Sequence, residues 1–349
     1  MRVEATARAR RRWLFLPFAV LVVIAAAWSV FWVMAARRAD AVITAWLQDE
    51  ARRGRIHGCG SRTSGGYPFR IEVRCTDPSV QLTTAQPPRV LKAKELRGVA
   101  QVYDPGLIIA EIRGPLAVSE PGQPTAWQAD WRLAQASLRG VAGRPERLSV
   151  VFDGLSLERV DGERPETWAA ANHLEFHLRR NPAAPSDKPR LDFAAQMAGA
   201  TVPGAPLLRG KPLDGEVTAL VSGLNDLTPK PVPLRLKEWQ AAGGRLEVTR
   251  LRLQQGDAVA VAAGDVGLSA AGRPDGAFTV RMAGFDRLVQ ELAGSQQGGG
   301  LQLGLMAGLA FLGQPTEIDG RRAIAMALRV KDGAVFLGPL PLGRLEPLY

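Results

Sequence analysis

The residue types that most often carry chemistry are scarce in this chain. Its only cysteines, Cys59 and Cys75, bound the stretch CGSRTSGGYPFRIEVRC, and its only histidines are His57, His173 and His177. Two thiols could serve as a nucleophile, as metal ligands or as a redox pair, but the CxxC spacing of a redox pair is absent. His173 and His177 in HLEFH have the outer spacing of a zinc helix without the HExxH order. On a strand, His173, Glu175 and His177 would instead share one face, compatible with a surface metal site or with acid-base chemistry in a hydrolase; a solvated sheet face is the simpler reading. No GxSxG elbow occurs, and Gly298, Gly299 and Gly300 in SQQGGG lack the lysine and hydroxyl of a phosphate loop. Sequence therefore assigns no catalytic residue, no metal ligand and no cofactor.

The elements that position these residues begin with an apolar run, WLFLPFAVLVVIAAAWSVFWVM, from Trp13 to Met34, without a charge. As a helix rising 1.5 Å per residue it covers about 30 Å, the thickness of a bilayer's hydrocarbon layer. Trp13 stands near one end and Trp28 and Trp32 near the other, where interfacial aromatics belong. Arg2, Arg8, Arg10, Arg11 and Arg12 precede the run, so the positive-inside rule places residues 1–12 in the cytoplasm, the transmembrane helix at 13–34 and the rest across a bacterial inner membrane, in the periplasm. Val33-Met34-Ala35 would suit a signal peptidase, leaving cleavage after Ala35 as the rival, and Arg11-Arg12 faintly resembles a twin-arginine signal. The run nevertheless exceeds the 7–15 apolar residues of a signal peptide, which favours a retained single-pass anchor.

Export bears on the cysteines. In an oxidising compartment a pair sixteen positions apart is better read as a disulfide than as a metal or redox site, and closing that loop is worth about 3 kcal/mol. Gly65 and Gly66 can supply a turn, and alternation puts Tyr67, Phe69, Ile71, Val73 and Cys75 on one face. Simple pairing about that turn does not align the cysteines, so a bulge or a wider loop is required.

Between anchor and hairpin, residues 35–54 carry Val42, Ile43, Trp46, Leu47 and Ala51 at helical spacing, ending at Gly54: an amphipathic linker helix, its stripe packed on the folded body or laid on lipid headgroups. Beyond residue 67 period-two alternation dominates. It is seen in Trp127, Ala129, Trp131 and Leu133, in Leu174, Phe176 and Leu178, in Leu246 and Val248, in Phe278, Val280 and Met282, and in Ile324, Met326, Leu328 and Val330. One apolar and one polar face per strand marks antiparallel sheet, and Asp332-Gly333 marks a two-residue hairpin turn. ELRGVA at 95–100 echoes as SLRGVA at 137–142, a hint of stacked repetition. Proline-rich NPAAPSDKP (181–189) and TPKPVP (228–233) suggest loops or a boundary between lobes. FDRLVQELAG and, after SQQGGG, LQLGLMAGLAFLG read as helices, the latter too short to span a bilayer comfortably.

Composition adds bounds. With 46% hydrophobic residues a sizeable core is affordable, and 44 Lys and Arg against 34 Asp and Glu give a net charge of +10. Nucleic-acid binding would fit that charge but not the topology, and no nucleic-acid motif occurs. An anchor with its flanking arginines and mixed charges on solvated strand faces accounts for the cations.

The N-terminal helix, the Trp-containing amphipathic segment, GYPFRIEVRC (Gly66, Tyr67, Pro68, Phe69, Arg70 onward to Cys75), WQAAGGRLEV (Trp239, Gly243, Gly244) and the ending KDGAVFLGPLPLGRLEPL (Gly338, Pro339) together resemble the uncharacterised family known as domain of unknown function 2125. The resemblance runs over essentially the whole chain and implies an alphaproteobacterial inner membrane and periplasm. It carries no activity, substrate or catalytic residue.

The expected architecture is mainly β: a transmembrane helix, an amphipathic linker helix, then an extended, curved antiparallel sheet in two lobes, 55–180 with the disulfide hairpin and 181–349 with short helices. The expected function is a non-enzymatic envelope protein binding lipid or a partner protein on an apolar sheet face. A periplasmic enzyme using His173 or His177, hydrolytic or metal-dependent, and a purely structural scaffold remain the alternatives. An open apolar groove would mark a ligand site; continuous packing across that face would mark a scaffold.

Overall fold

The computed structural model of the chain describes residues 3–141, 144–162, 164–185, 188–205, 211–224, 230–284 and 313–349. Its first element is one continuous helix, α1 (Val3–Arg52), long and apolar enough to cross a membrane. The transmembrane and linker helices expected separately are thus a single rod. Nothing between Met34 and Asp40 breaks a helix: Ala35, Ala36, Arg37, Arg38 and Ala39 are all strong helix formers. The rod stops where Gly54 takes a φ of 76°, a backbone state that costs glycine little. Along α1 the half-buried or buried positions include Trp28, Trp32, Ala35, Ala36, Ala39, Ile43, Leu47 and Glu50, a helical stripe. Of the stripe expected from sequence, Ile43 and Leu47 fall on it, whereas Val42, Trp46 and Ala51 are exposed.

The chain divides into two compact units, Met1–Ala126 and Trp127–Tyr349. In the first, α1 is followed by β1 (Arg55–Gly58), β2 (Ser61–Gly65), β3 (Arg70–Thr76), β4 (Ser79–Leu82), β5 (Arg89–Lys92), β6 (Glu95–Gln101), β7 (Asp104–Arg113) and β8 (Leu116–Ser119). Taken in pairs these make an antiparallel meander, β1-β2 beside β4-β3, then β5-β6, then β7-β8. Every strand of it breaks at one level. The breaks lie near Gly60, Asp77, Ala93-Lys94 and Gly114, and backbone bonds Gly60 N to Thr76 O (2.9 Å), Asp77 N to Lys94 O (3.0 Å) and Lys94 N to Arg113 O (3.1 Å) bridge them.

The Cys59–Cys75 disulfide, with Cα atoms 5.7 Å apart, sits at that level. A wide loop sets the register, with Gly65 opposite Glu72 and Gly66 to Phe69 bulging out; Cys75 then stands opposite Arg62, and its bond to Cys59 is made at the strand break beside Gly60, not between directly opposed residues. Tyr67 and Phe69 therefore do not continue the strand face of Cys75, as alternation suggested, because β3 begins only at Arg70. Gly66, at φ 100°, admits no side chain, since a Cβ there would lie 2.7 Å from the Arg70 carbonyl oxygen.

One face of this meander is a charge ladder. Glu72 accepts from Arg97 Nε at 2.8 Å and from Arg74 at 3.0 Å, and Glu95 pairs with Arg74 and Arg113. The hydrogen bond from Arg97, ahead of the cost of burial, holds the Glu72 carboxyl below its ordinary range. The opposite face is apolar by register, Ile71–Ala100–Ile108, Val73–Gly98–Ala110 and Cys75–Leu96–Ile112. At the helix end, buried Glu50 accepts from Arg55 at 2.5 Å and lies 3.5 Å from His57 Nε2, while the Trp46 ring lies tilted against the His57 ring with centroids 4.9 Å apart. The Arg55 bond likewise lowers the Glu50 carboxyl.

The strand β9 (Thr125–Asp130) leads into the second unit. Its expected alternation through Trp131 and Leu133 is interrupted, because the Asp130 carboxylate caps the Trp131 amide at 2.8 Å and a new strand starts at Leu133. That unit holds β10 (Leu133–Val141), β11 (Arg144–Arg159), β12 (Glu166–Arg180), β13 (Arg190–Ala200), β14 (Leu213–Ser222), α2 (Val232–Ala241), β15 (Arg245–Gln255), β16 (Ala258–Leu268), β17 (Pro274–Ala283), β18 (Gln314–Ile318), β19 (Arg321–Lys331), β20 (Ala334–Leu337) and β21 (Leu340–Arg344). From β10 to β17 each strand pairs antiparallel with the next; β19 joins β17, and β18 and β20 flank opposite ends of β19.

The mainly antiparallel β architecture behind an N-terminal apolar helix is as the alternation implied. The boundary expected at 180/181 differs from the observed division, since Arg180 pairs with Leu191 inside one continuous ladder and the compact units separate at Ala126/Trp127. Asp332 and Gly333, at φ 46° and 80°, make the hairpin turn between β19 and β20. The helices expected over FDRLVQELAG and LQLGLMAGLAFLG, and the glycines between them, fall on 285–312, outside the described residues.

Candidate functional site

Register turns the alternation of the second unit into a surface. Directly opposed residues form unbroken apolar rows across the ladder. One runs Ala134, Phe152, Leu174, Met197, Gly215, Leu253, Ala260, Met282, Ile324; the next runs Ala136, Val150, Phe176, Ala195, Val217, Leu251, Ala262, Val280, Met326. A third runs Leu138, Leu148, Leu178, Phe193, Ala219, Val248, Gly264, Phe278, Leu328. A shorter fourth row starts on β13 with Leu191 and continues through Val221, Leu246, Val266, Gly276 and Val330. Cross-strand neighbours of this kind stabilise a sheet by fractions of a kcal/mol each, and the face they build must be covered or must bind something.

The two ends of the face differ in cover. Ala219, Val248, Ala262 and Met326 are buried, and Leu191 is only 1% exposed. At the β10–β12 end Leu138, Leu148 and Phe176, in the second and third rows, are 38–40% exposed, whereas Ala134 in the first row is buried. The candidate site is this open end: a contiguous apolar patch of Leu138, Leu148, Val150, Phe176 and Leu178, without a polar group of its own rows. Its side chains are aliphatic and aromatic hydrocarbon, a surface of the kind against which an acyl chain or an apolar protein segment could pack.

The opposite face carries the histidines. His173, Glu175 and His177 share it, as strand alternation required, and lie opposite Asp153, Val151 and Ser149. His173 Nδ1 meets the Asp153 carboxylate at 2.6 Å, His177 Nδ1 meets Ser149 Oγ at 2.9 Å, and Glu175 sits 3.6 and 3.4 Å from the two Nε2 atoms. The Asp153 bond, outweighing desolvation, raises the His173 pKa above its usual 6.5. Each imidazole thus has partners at both nitrogens, which describes a polar row satisfied across a sheet. The backbone N–H groups that an acyl-transfer site would aim at an oxyanion are here committed to ladder bonds. Among the described residues no group of three His, Cys, Asp or Glu is arranged to hold a metal. Further along this face an open cavity of 640 Å³ is lined by Arg190, Ser222, Arg245, Glu247, Thr249 and Asp265, whose charges are spent partly on an Arg245–Asp265 ion pair.

The remaining residues singled out in the sequence are dispersed and architectural. Gly244 lies beneath the Trp239 ring, where a Cβ would overlap the indole, and Trp239 Nε1 donates to the Ser222 carbonyl at 2.6 Å; Gly243, at φ 63°, ends α2. Gly338 and Pro339 form the turn between β20 and β21, Gly338 donating to the Ala327 carbonyl at 2.8 Å. Cys59, Cys75 and Gly66 to Arg70 belong to the first unit. Sequence reading reached Phe176 through its alternation, but not Leu138 and Leu148, which become neighbours of Phe176 only through the β10–β11–β12 register.

A family model described as an uncharacterized protein conserved in bacteria, DUF2125, matches residues 32–346. No curated protein and no solved structure matches the chain.

Proposed function

The chain belongs to the DUF2125 family of uncharacterised bacterial proteins, and from that premise we propose that it is an inner-membrane-anchored periplasmic protein that holds a lipid acyl chain on the open end of its apolar sheet face. The observation that carries this reading is the contrast within one face: rows that are closed over at Met326 and Val248 are exposed at Leu138, Leu148 and Phe176. Two further features support the setting. Helix α1 has the length and apolarity of a membrane span, and the Cys59–Cys75 bond suits an oxidising compartment beyond the cytoplasm. A purely structural scaffold would have no reason to leave part of that face uncovered.

The test is native mass spectrometry of the full chain extracted from membranes in mild detergent, alongside a Leu148→Glu, Phe176→Glu double variant. Co-purifying lipid on the parent and its loss from the variant, with the disulfide intact in both, is the expected result. Lipid on neither, or protein in place of lipid, overturns the lipid reading. Loss of function on replacing His173 and His177 by alanine at unchanged protein level would favour an enzyme instead.

A further inference from the structure

The stretch GYPF at Gly66–Phe69 is absorbed neither by the apolar rows nor by the disulfide. It forms the tip of the β2–β3 hairpin and carries large exposed aromatics, Tyr67 at 56% and Phe69 at 62%; Tyr103, in the turn after β6, is 66% exposed beside it. Two of the chain's three tyrosines thus stand at one end of one unit. Val102 N donates to the Phe69 carbonyl at 3.0 Å, tying the two tips together.

What lies against this tip is the apolar part of α1. Trp28 Nε1 donates to the Pro68 carbonyl at 2.9 Å, Trp32 Nε1 donates to the Arg70 carbonyl at 2.9 Å, and the Ser29 and Tyr67 hydroxyls meet at 2.8 Å. Trp28 also packs on Phe69 and Trp32 edge-on to Tyr67. Trp28 precedes Met34, the end of the uncharged run, by six residues, or about 9 Å of helix. A loop docked at that level cannot be far out in water if the run crosses a bilayer.

From this geometry we propose that the hairpin tip, Tyr67 and Phe69 with Tyr103, is a second membrane-contact element that enters the headgroup and acyl boundary of the periplasmic leaflet beside α1. The inference rests on α1 being a retained span. Interfacial segments bury about 5–10 Å of themselves in this zone, the depth the Trp28 contact sets. Non-helical backbone is tolerated there only when its polar groups are satisfied. The Gly66, Pro68, Phe69 and Arg70 carbonyls accept from Arg70 N, Trp28, Val102 N and Trp32 respectively. Tyr67 and Phe69, though in contact with α1, and Tyr103 each leave more than half of their surface exposed, two amphipathic tyrosines beside an apolar ring, and Arg70, half exposed and paired with Glu72 at 3.3 Å, can reach lipid phosphate. The tip would fix the tilt of the first unit against the bilayer, as a helix alone cannot.

The full chain is reconstituted in vesicles of phosphatidylethanolamine and phosphatidylglycerol, with the photoreactive aromatic p-benzoylphenylalanine placed singly at position 69, 103, 21 or 168. Leu21 lies mid-run and reports the span; Trp168, 54% exposed in the second unit, reports the capture given by an exposed aromatic outside the tip. Disulfide formation on a non-reducing gel verifies folding of each variant. Positions 69 and 103 should capture lipid about as well as 21 and about tenfold more than 168. Capture at 21 but not at 69 and 103, or capture of protein at the tip, overturns the inference while leaving the span intact; failure at 21 as well removes the span and the inference with it.

Discussion

The two units solve the same problem, stabilising a long antiparallel meander, by different means. In the first every strand is interrupted at one level, one face is a lattice of Glu72, Glu95, Arg74, Arg97 and Arg113, and the break is held by a covalent bond between Cys59 and Cys75. In the second the ladder carries local bulges but keeps its register across the sheet, no disulfide is present, and apolar rows run from β10 to β19. The breaks leave the pairing of the first three strands in step, since Gly58 opposite Ser79 continues Ser61 opposite Thr76, and Ser79 opposite Lys92 continues Thr76 opposite Glu95, but with four strands across, the apolar rows of the first unit are short. The charge lattice and the disulfide supplement those short rows, and the disulfide ties the first unit's integrity to oxidation in a way the second's is not.

Truncating the largest fully buried side chain among the described residues should have a large effect. Leu191→Ala opens a cavity in the fourth row and is expected to destabilise the second unit by about 2–5 kcal/mol, measured by denaturant unfolding with hydrogen exchange to assign the loss. Exchange in residues 55–119 should stay unchanged; parallel loss in both units would mean they do not stabilise themselves separately. Next comes the disulfide. Replacing Cys59 and Cys75 together by serine should cost the first unit about 3 kcal/mol and leave the second untouched.

Smaller effects distinguish the units by pH. Glu50 and Glu72 have carboxyls lowered by Arg55 and Arg97, so the stability they give the first unit is present above their ordinary value near 4.5 and is lost as pH falls through the lower folded value. His173 has its pKa raised by Asp153, so its contribution to the second unit is full below 6.5 and is lost as pH rises through the higher folded value. Because the imidazole is about a third exposed, that contribution is under about 1 kcal/mol. Melting followed separately for each unit should therefore weaken on opposite sides of neutrality, and His173→Ala should flatten only the alkaline side of the second.

Much of this contrast was legible in sequence because its cause is local. Leu174, Phe176 and Leu178 announce a strand with one apolar face, and Asp332-Gly333 a turn, since period two and left-handed φ values are properties of a few consecutive residues. Helix continuity from Met34 to Asp40 was missed, because the end of the apolar run was read as the end of an element although its alanines and arginines hold no breaker. What local pattern could not reveal is register. That Leu138 opposes Leu148, and Leu148 opposes Leu178, depends on three strands meeting, and the common break level of the first unit depends on four. The division at Ala126/Trp127 follows PGQP at 121–124, a turn signal that alternation left in the background, whereas the proline-rich 181–189 falls between β12 and β13 of one ladder.

The smallest expected effect on stability is the one that says most about the second unit. Leu148→Glu alters a side chain already 38% exposed, so little apolar area returns to water and the fold should lose less than about 1 kcal/mol. The same change at buried Met326 should be severely destabilising, since a charge would enter the closed part of the same face. If the two substitutions destabilise equally, the face is covered throughout and the open end has no separate existence. If Leu148→Glu leaves unfolding unchanged yet strips co-purifying lipid, apolar rows that serve as core at one end serve as a binding surface at the other. Such a division of labour needs no special residue type, only a row that runs further than its cover.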